Sequence, residues 1–213
     1  MRRLFRSSIY LACTLISFSD LSNGTLIANA KETSQAPATE TIRKYDKAIQ
    51  KNPKDVEVYV KRGQAKVVLK QFQEALKDFE KAIEIDPKYA AAYISRADLR
   101  MSLDRNNAKT LKEGIQDYDK AIAIKPNEAS FYFGRGAAQS GLGQYQQAIK
   151  DFDKAIELNP KFVEAYDDRG LAKEHLGQYP QALEDYNKAL ELDPKDETAR
   201  FNREGLKKTL GAK

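Results

Sequence analysis

Lys154-Ala155-Ile156-Glu157-Leu158-Asn159-Pro160 is the stretch that decides the fold, because the chain writes it repeatedly. Close copies stand at Lys81-Ala82-Ile83-Glu84-Ile85-Asp86-Pro87, Lys120-Ala121-Ile122-Ala123-Ile124-Lys125-Pro126 and Lys188-Ala189-Leu190-Glu191-Leu192-Asp193-Pro194. A fainter copy, Lys47-Ala48-Ile49-Gln50-Lys51-Asn52-Pro53, lies upstream. Successive prolines are 34, 39, 34 and 34 residues apart. A fixed period of this size marks an array in which each unit buries its apolar face only against its neighbours.

With the proline as position 32, the units are 56–89, 90–128, 129–162 and 163–196. Position 4 is Tyr59, Tyr93, Tyr132 and Tyr166, and position 7 is Arg62, Arg96, Arg135 and Arg169. Position 8 is Gly63, Ala97, Gly136 and Gly170, and position 20 is Ala75, Gly114, Ala148 and Ala182. Position 24 is Phe79, Tyr118, Phe152 and Tyr186, and position 27 is alanine throughout (Ala82, Ala121, Ala155, Ala189). Small residues at 8 and 20 let two backbones approach, and the aromatics fill the wider space beside them. The proline cannot continue a helix and closes the second one. Gly143 and Gly177 fall where the first helix stops and tolerate a left-handed turn, while Pro180 fits a helix first turn.

This pattern resembles the tetratricopeptide repeat family, whose unit is a 34-residue helix–turn–helix with small, aromatic and proline positions at these spacings. The resemblance covers about residues 38–196. It implies an all-α fold, a right-handed superhelical solenoid of antiparallel helix pairs with about four and a half repeats and a capping helix. The organisation is then an export signal over 1–30, a polar linker over 31–37 and a half repeat with only a second helix over 38–55. Full repeats follow at 56–89, 90–128, 129–162 and 163–196, then a capping helix and tail over 197–213. The repeat at 90–128 carries five extra residues, expected in its inter-helix loop at about Asp104 to Thr110. The family pattern has leucine at position 7. Here each arginine is matched by an aspartate at position 23 (Asp78, Asp117, Asp151, Asp185), which suggests an ion pair between the helices of a unit; independent solvated charges are the alternative. The half repeat has Lys44 at position 23 and no first helix.

The first residues read as an export signal. Arg2, Arg3 and Arg6 precede an apolar run from Ile9 to Phe18, and Ala28-Asn29-Ala30 frames a cleavage site before Lys31. The run is shorter than the roughly 20 residues that span a bilayer. An uncleaved N-terminal anchor is the alternative. Tyr10-Leu11-Ala12-Cys13 faintly resembles a lipoprotein box, but the apolar run continues through Cys13. Cys13 is the only cysteine, and the sequon Asn23-Gly24-Thr25 lies before the cleavage site, so both would leave with the signal. The expected location is across a membrane, in a periplasm, a lumen or outside the cell.

Of the net charge of +5, the segment 1–30 holds +2, from three arginines and one aspartate, leaving +3 interspersed along the rest. No basic face is clustered as phosphate binding needs, so nucleic acid is not an expected partner. After signal removal no membrane span is expected. His175 is the only histidine, no G-x-S-x-G or glycine-rich phosphate loop is present, and Gly134-Arg135-Gly136 sits inside a helix pattern. An enzyme is not expected, nor are a metal or a cofactor.

By resemblance, positions 2, 5, 9, 12 and 13 of the first helices line a concave groove. The candidate partner-binding residues are Val60, Gln64, Val67, Ile94, Asp98, Met101, Phe133, Ala137, Asp167, Leu171, Glu174 and His175. Apolar anchors in the first three repeats and carboxylates in the fourth suit a peptide with apolar side chains and a basic flank. Packing of those apolar residues within the array is the competing reading. The positions of the family's chaperone-carboxylate clamp hold Val60, Gln64, Ser95, Ser130 and Gly134, so that clamp is absent. The functional expectation is a non-catalytic, exported adaptor or assembly scaffold that binds a protein or peptide. Its rivals are self-association through the first or last unit and an accessory subunit of an envelope complex.

Overall fold

The computed structural model describes the backbone from residue 24 to 211 and side chains from residue 37. The basic start and apolar run of the expected export signal, Cys13 and Asn23 lie outside the described residues. The described residues form helices and no strand, in line with an all-α solenoid of helix pairs. The helices are α1 (Gly24–Lys51), α2 (Val56–Val68), α3 (Phe72–Ile85), α4 (Ala90–Leu103), α5 (Ala108–Ile124), α6 (Ala129–Gly141), α7 (Tyr145–Leu158), α8 (Val163–His175), α9 (Tyr179–Leu192) and α10 (Glu197–Gly211). Residues 31–37, expected as a linker, are helical within α1, with Pro37 inside it. Lys31, Glu32, Gln35 and Ala36 are all good helix formers. No helix among the described residues is long and apolar enough to cross a membrane.

The described residues divide into two compact units, one ending at Leu99 and the other beginning at Arg100. In the N-terminal unit, Tyr59, Val60, Ala75, Phe79, Ala82, Ala92 and Leu99 form the core, with Ile49 of α1 packed against it. A Cβ placed on Gly63 would lie 2.5 Å from the Phe79 ring, so α2 and α3 approach only because that position has no side chain. Asp55 caps α2 by accepting from the Val58 amide at 3.3 Å. The turn after α2 needs a left-handed residue and has Lys70, at φ 58°.

The C-terminal unit repeats the scheme. Phe152 and Tyr186 are fully buried, each against a position-8 glycine where a Cβ would come within 2.8 Å (Gly136) or 2.7 Å (Gly170). Burying such a ring is worth roughly 2–3 kcal/mol. Gly143 and Gly177 take φ of +74°, as the turn requires. Leu206 of α10 covers Ala182 and Tyr186 of α9.

The five extra residues are placed differently from the expectation. Helix α4 has 14 residues against 13 in α2, α6 and α8, and α5 has 17 against 14 in α3, α7 and α9. Most of the insertion is therefore an extra turn at the start of α5. Asn107 stabilises that turn by accepting from the Lys109 and Thr110 amides, which would otherwise be orphaned.

Candidate functional site

The side chains that hold the first helices in place form a ladder. Arg135 donates from Nε and Nη2 to the Asp151 carboxylate at 2.8 and 2.7 Å, and from Nη1 to Asp119 of the preceding repeat at 2.7 Å. Arg62 does the same with Asp78 and Asp46, and Arg169 with Asp185 and Asp153. Each arginine thus ties its own second helix and the one before it, and lies over the ring of the tyrosine three residues earlier. Asp78, Asp151 and Asp185 are only 3–6% exposed, so these are ion pairs rather than solvated charges. The Asp151 and Asp119 hydrogen bonds push the Arg135 pKa upward. In the repeat at 90–128, Asp117 has Arg100 at 3.8 Å. Lys66 and Lys173, at position 11, add bonds of 2.8 Å to Asp78 and Asp185.

With the helices fixed, the expected groove residues separate into buried and accessible sets. In the N-terminal unit Val60 is 3% exposed and belongs to the core, so it offers a ligand nothing. Val67, Ile94 and Asp98 are partly buried, and exposed Gln64 donates to the Ser95 hydroxyl at 3.3 Å. Val68, one residue beyond Val67, is 56% exposed.

In the C-terminal unit Met101 is 3% exposed and Asp167 is 5% exposed; both are packed rather than presented. Phe133 is partly buried, its ring 4.8 Å from Phe162 and 5.9 Å from Phe152. Ala137, one turn along α6, and Leu171 and Glu174 on α8 are partly exposed. The Tyr186 hydroxyl donates to Glu174 at 3.0 Å. His175 is exposed and stacks on Tyr145 with ring centroids 4.4 Å apart and planes at 3°.

Burial changes the acidic end. Asp167 accepts from the Asn202 amide of α10 at 3.1 Å on both oxygens. Its removal from water outweighs that bond, and with Asp196 nearby it is pushed up to about 7. Asp168, which sequence reasoning did not single out, is pushed up to about 8 by burial, then by Asp167, Glu164 and Asp196. Position 6 faces the aromatic of the preceding repeat, as the overlap of a Gly134 Cβ with the Tyr118 ring shows, and this register was its only sequence signal. Tyr186 is also raised, by burial and then by the Glu174 charge. Near neutral pH the fourth repeat therefore presents less negative charge than its carboxylates suggest. Among the described residues no group of His, Cys, Asp and Glu is arranged to hold a metal ion.

Comparison with known proteins fits this geometry. The tetratricopeptide repeat model matches residues 56–89, 129–162 and 163–196; the repeat with the insertion is not among them. No curated protein matches the chain. Among solved structures, the chain is similar to MamA, at 26% identity over 78% of this chain and 88% of that one, with a TM-score of 0.65. A thermophilic TPR protein of Thermus thermophilus gives 20% identity, 85% and 96% coverage and a TM-score of 0.63. The first TPR of Spaghetti (RPAP3), bound to an HSP90 peptide, gives 24% identity, 59% and 96% coverage and a TM-score of 0.54. The last two likenesses are of fold. Residues 56–89, 129–162 and 163–196 match the tetratricopeptide repeat model, and the chain shares the helical fold of these structures.

Proposed function

We propose that this array of tetratricopeptide repeats is an exported adaptor or assembly factor that holds a peptide segment of a partner protein on its first helices. The observation that carries the reading is the surface left on α6 and α8: Phe133, Ala137 and Leu171 stay partly exposed although the core around them is closed. A face needed only for packing would cover them, as it covers Val60 and Met101. Glu174 and Glu164 lie on the same helix as Leu171, which favours a segment with apolar side chains followed by a basic residue. The ion-pair ladder holds the two helices so that little ordering is required on binding.

The test replaces surface without disturbing the core. Ala137→Arg and Leu171→Arg together place charge on the accessible face and leave the buried rings alone. The wild-type and variant chains are immobilised and exposed to cell-envelope extract, and bound proteins are compared by mass spectrometry. A partner bound through this face should fall by about tenfold or more with the variant. If every protein bound by the wild type is bound equally by the folded variant, the face is not the binding surface.

A further inference from the structure

The last described helix occupies the first-helix register of a further repeat. Counting Glu197 as position 1, Arg200 donates to the Pro194 carbonyl, as Tyr59, Tyr93, Tyr132 and Tyr166 donate to theirs. Arg203, at position 7, donates to Asn187 at 3.4 Å, where the other ladder arginines meet Asp46, Asp119 and Asp153. Ala199 and Leu206 are fully buried, as first-helix residues facing the preceding repeat should be. The opposite face of α10 has no second helix against it among the described residues, and Phe201 there is 73% exposed.

Helix α1 is the complement. It is in second-helix register, and its position-24 aromatic, Tyr45, is only partly buried, whereas Phe79, Tyr118, Phe152 and Tyr186 are at most 2% exposed. In outline, α1 of one copy could complete the repeat begun by α10 of another, and repetition of that contact would give an open filament.

We propose that Lys44 and Glu204 are specificity-determining residues that prevent this head-to-tail pairing. Lys44 stands at position 23, where every complete repeat has a buried aspartate; three of these receive Arg at position 7, and a cation at position 11 reaches it in three repeats, as Lys66, Arg100 and Lys173 do. Paired with α10, it would face Arg203 and Lys207, gathering three cations in a slot that elsewhere holds a desolvated ion pair. Glu204 stands at position 8, where complete repeats have glycine or alanine. Even a lone Cβ at Gly63, Gly136 or Gly170 would come within 2.5–2.8 Å of the position-24 ring, so a glutamate there excludes the approach of Tyr45. Glu204 also accepts from Arg203 Nε at 3.0 Å, supplying within α10 the carboxylate that a second helix provides in other repeats. One residue thus fills the close-packing position and satisfies the arginine that would recruit an aspartate.

The experiment is sedimentation of the full chain, its Lys44→Asp and Glu204→Ala single variants and the double variant over a range of concentrations. Both residues are exposed, so the substitutions should leave the fold intact, which far-UV circular dichroism checks. The double variant should associate with concentration, reaching an average mass about twice the monomer's or more. The wild type and each single variant should stay at monomer mass, because each single change leaves one barrier standing. A folded double variant that remains at the wild-type mass overturns the proposal, and so does a wild type that associates as readily as the double variant.

Discussion

Replacing Gln139 by lysine should stabilise the C-terminal unit, and the chain contains its own controls. Gln139 occupies position 11 of the repeat at 129–162, where the first and fourth repeats have Lys66 and Lys173 reaching a buried aspartate at 2.8 Å. A glutamine amide brings no positive charge to that slot. Its Oε1 is buried without a hydrogen-bond partner, and as an acceptor it cannot pair with the Asp151 carboxylate, which Arg135 bonds. An orphaned buried acceptor costs about 1–3 kcal/mol, and a hydrogen bond to a charged group contributes about 1.5–3 kcal/mol. Ordering a lysine side chain costs up to about 2 kcal/mol. The balance is a gain of roughly 0.5–4 kcal/mol, centred on about 2, and about 2 kcal/mol at this chain length raises the melting temperature by about 4–8 °C. Scanning calorimetry of the wild type, Gln139→Lys and Gln139→Met separates the contributions, since methionine removes the orphan without adding a cation. If lysine gives no gain, or no more than methionine, position 11 does not act through the position-23 aspartate.

Asp167→Asn should stabilise the protein above neutral pH. The folded carboxyl is raised to about 7, so its contribution is fully present below the ordinary value near 3.9 and is lost as pH climbs through 7. The whole gap sets a ceiling of ~4 kcal/mol at about 1.4 kcal/mol per pH unit. Urea midpoints of variant and wild type should coincide near pH 4 and separate by pH 8, and a pH-independent gap would contradict burial as the cause. Lys70→Gly should gain about 1 kcal/mol in chemical denaturation by relieving a left-handed backbone that Gly143 and Gly177 adopt freely. A double-mutant cycle on Arg135 and Asp151 should show a coupling of about 1–3 kcal/mol, against near zero for solvated charges. Intact mass of the protein recovered from its own cells should begin at Lys31, whereas an uncleaved chain would retain Met1.

The helix pairs, their order and the matched Arg and Asp at positions 7 and 23 could be read from the sequence by itself, while the structure decided that these charges pair in three repeats. These features recur at a fixed period, so each repeat checks the reading of the others. The glycine at position 8 and the aromatic at position 24 also declare their contact by size alone. Position 5, by contrast, carries Val60, Phe133 and Asp167 in three repeats, and only the packed structure showed Val60 and Asp167 buried and Phe133 partly open. That outcome depends on which side chains neighbouring helices bring to the same place, such as Asn202 of α10 over Asp167. The insertion followed the same rule. Its length was plain in the sequence, but whether it lengthened a loop or a helix turned on Asn107 capping two amides. Periodicity settles which face of a helix is covered, while the residual surface and the charge it carries are decided by volumes and hydrogen bonds across helices.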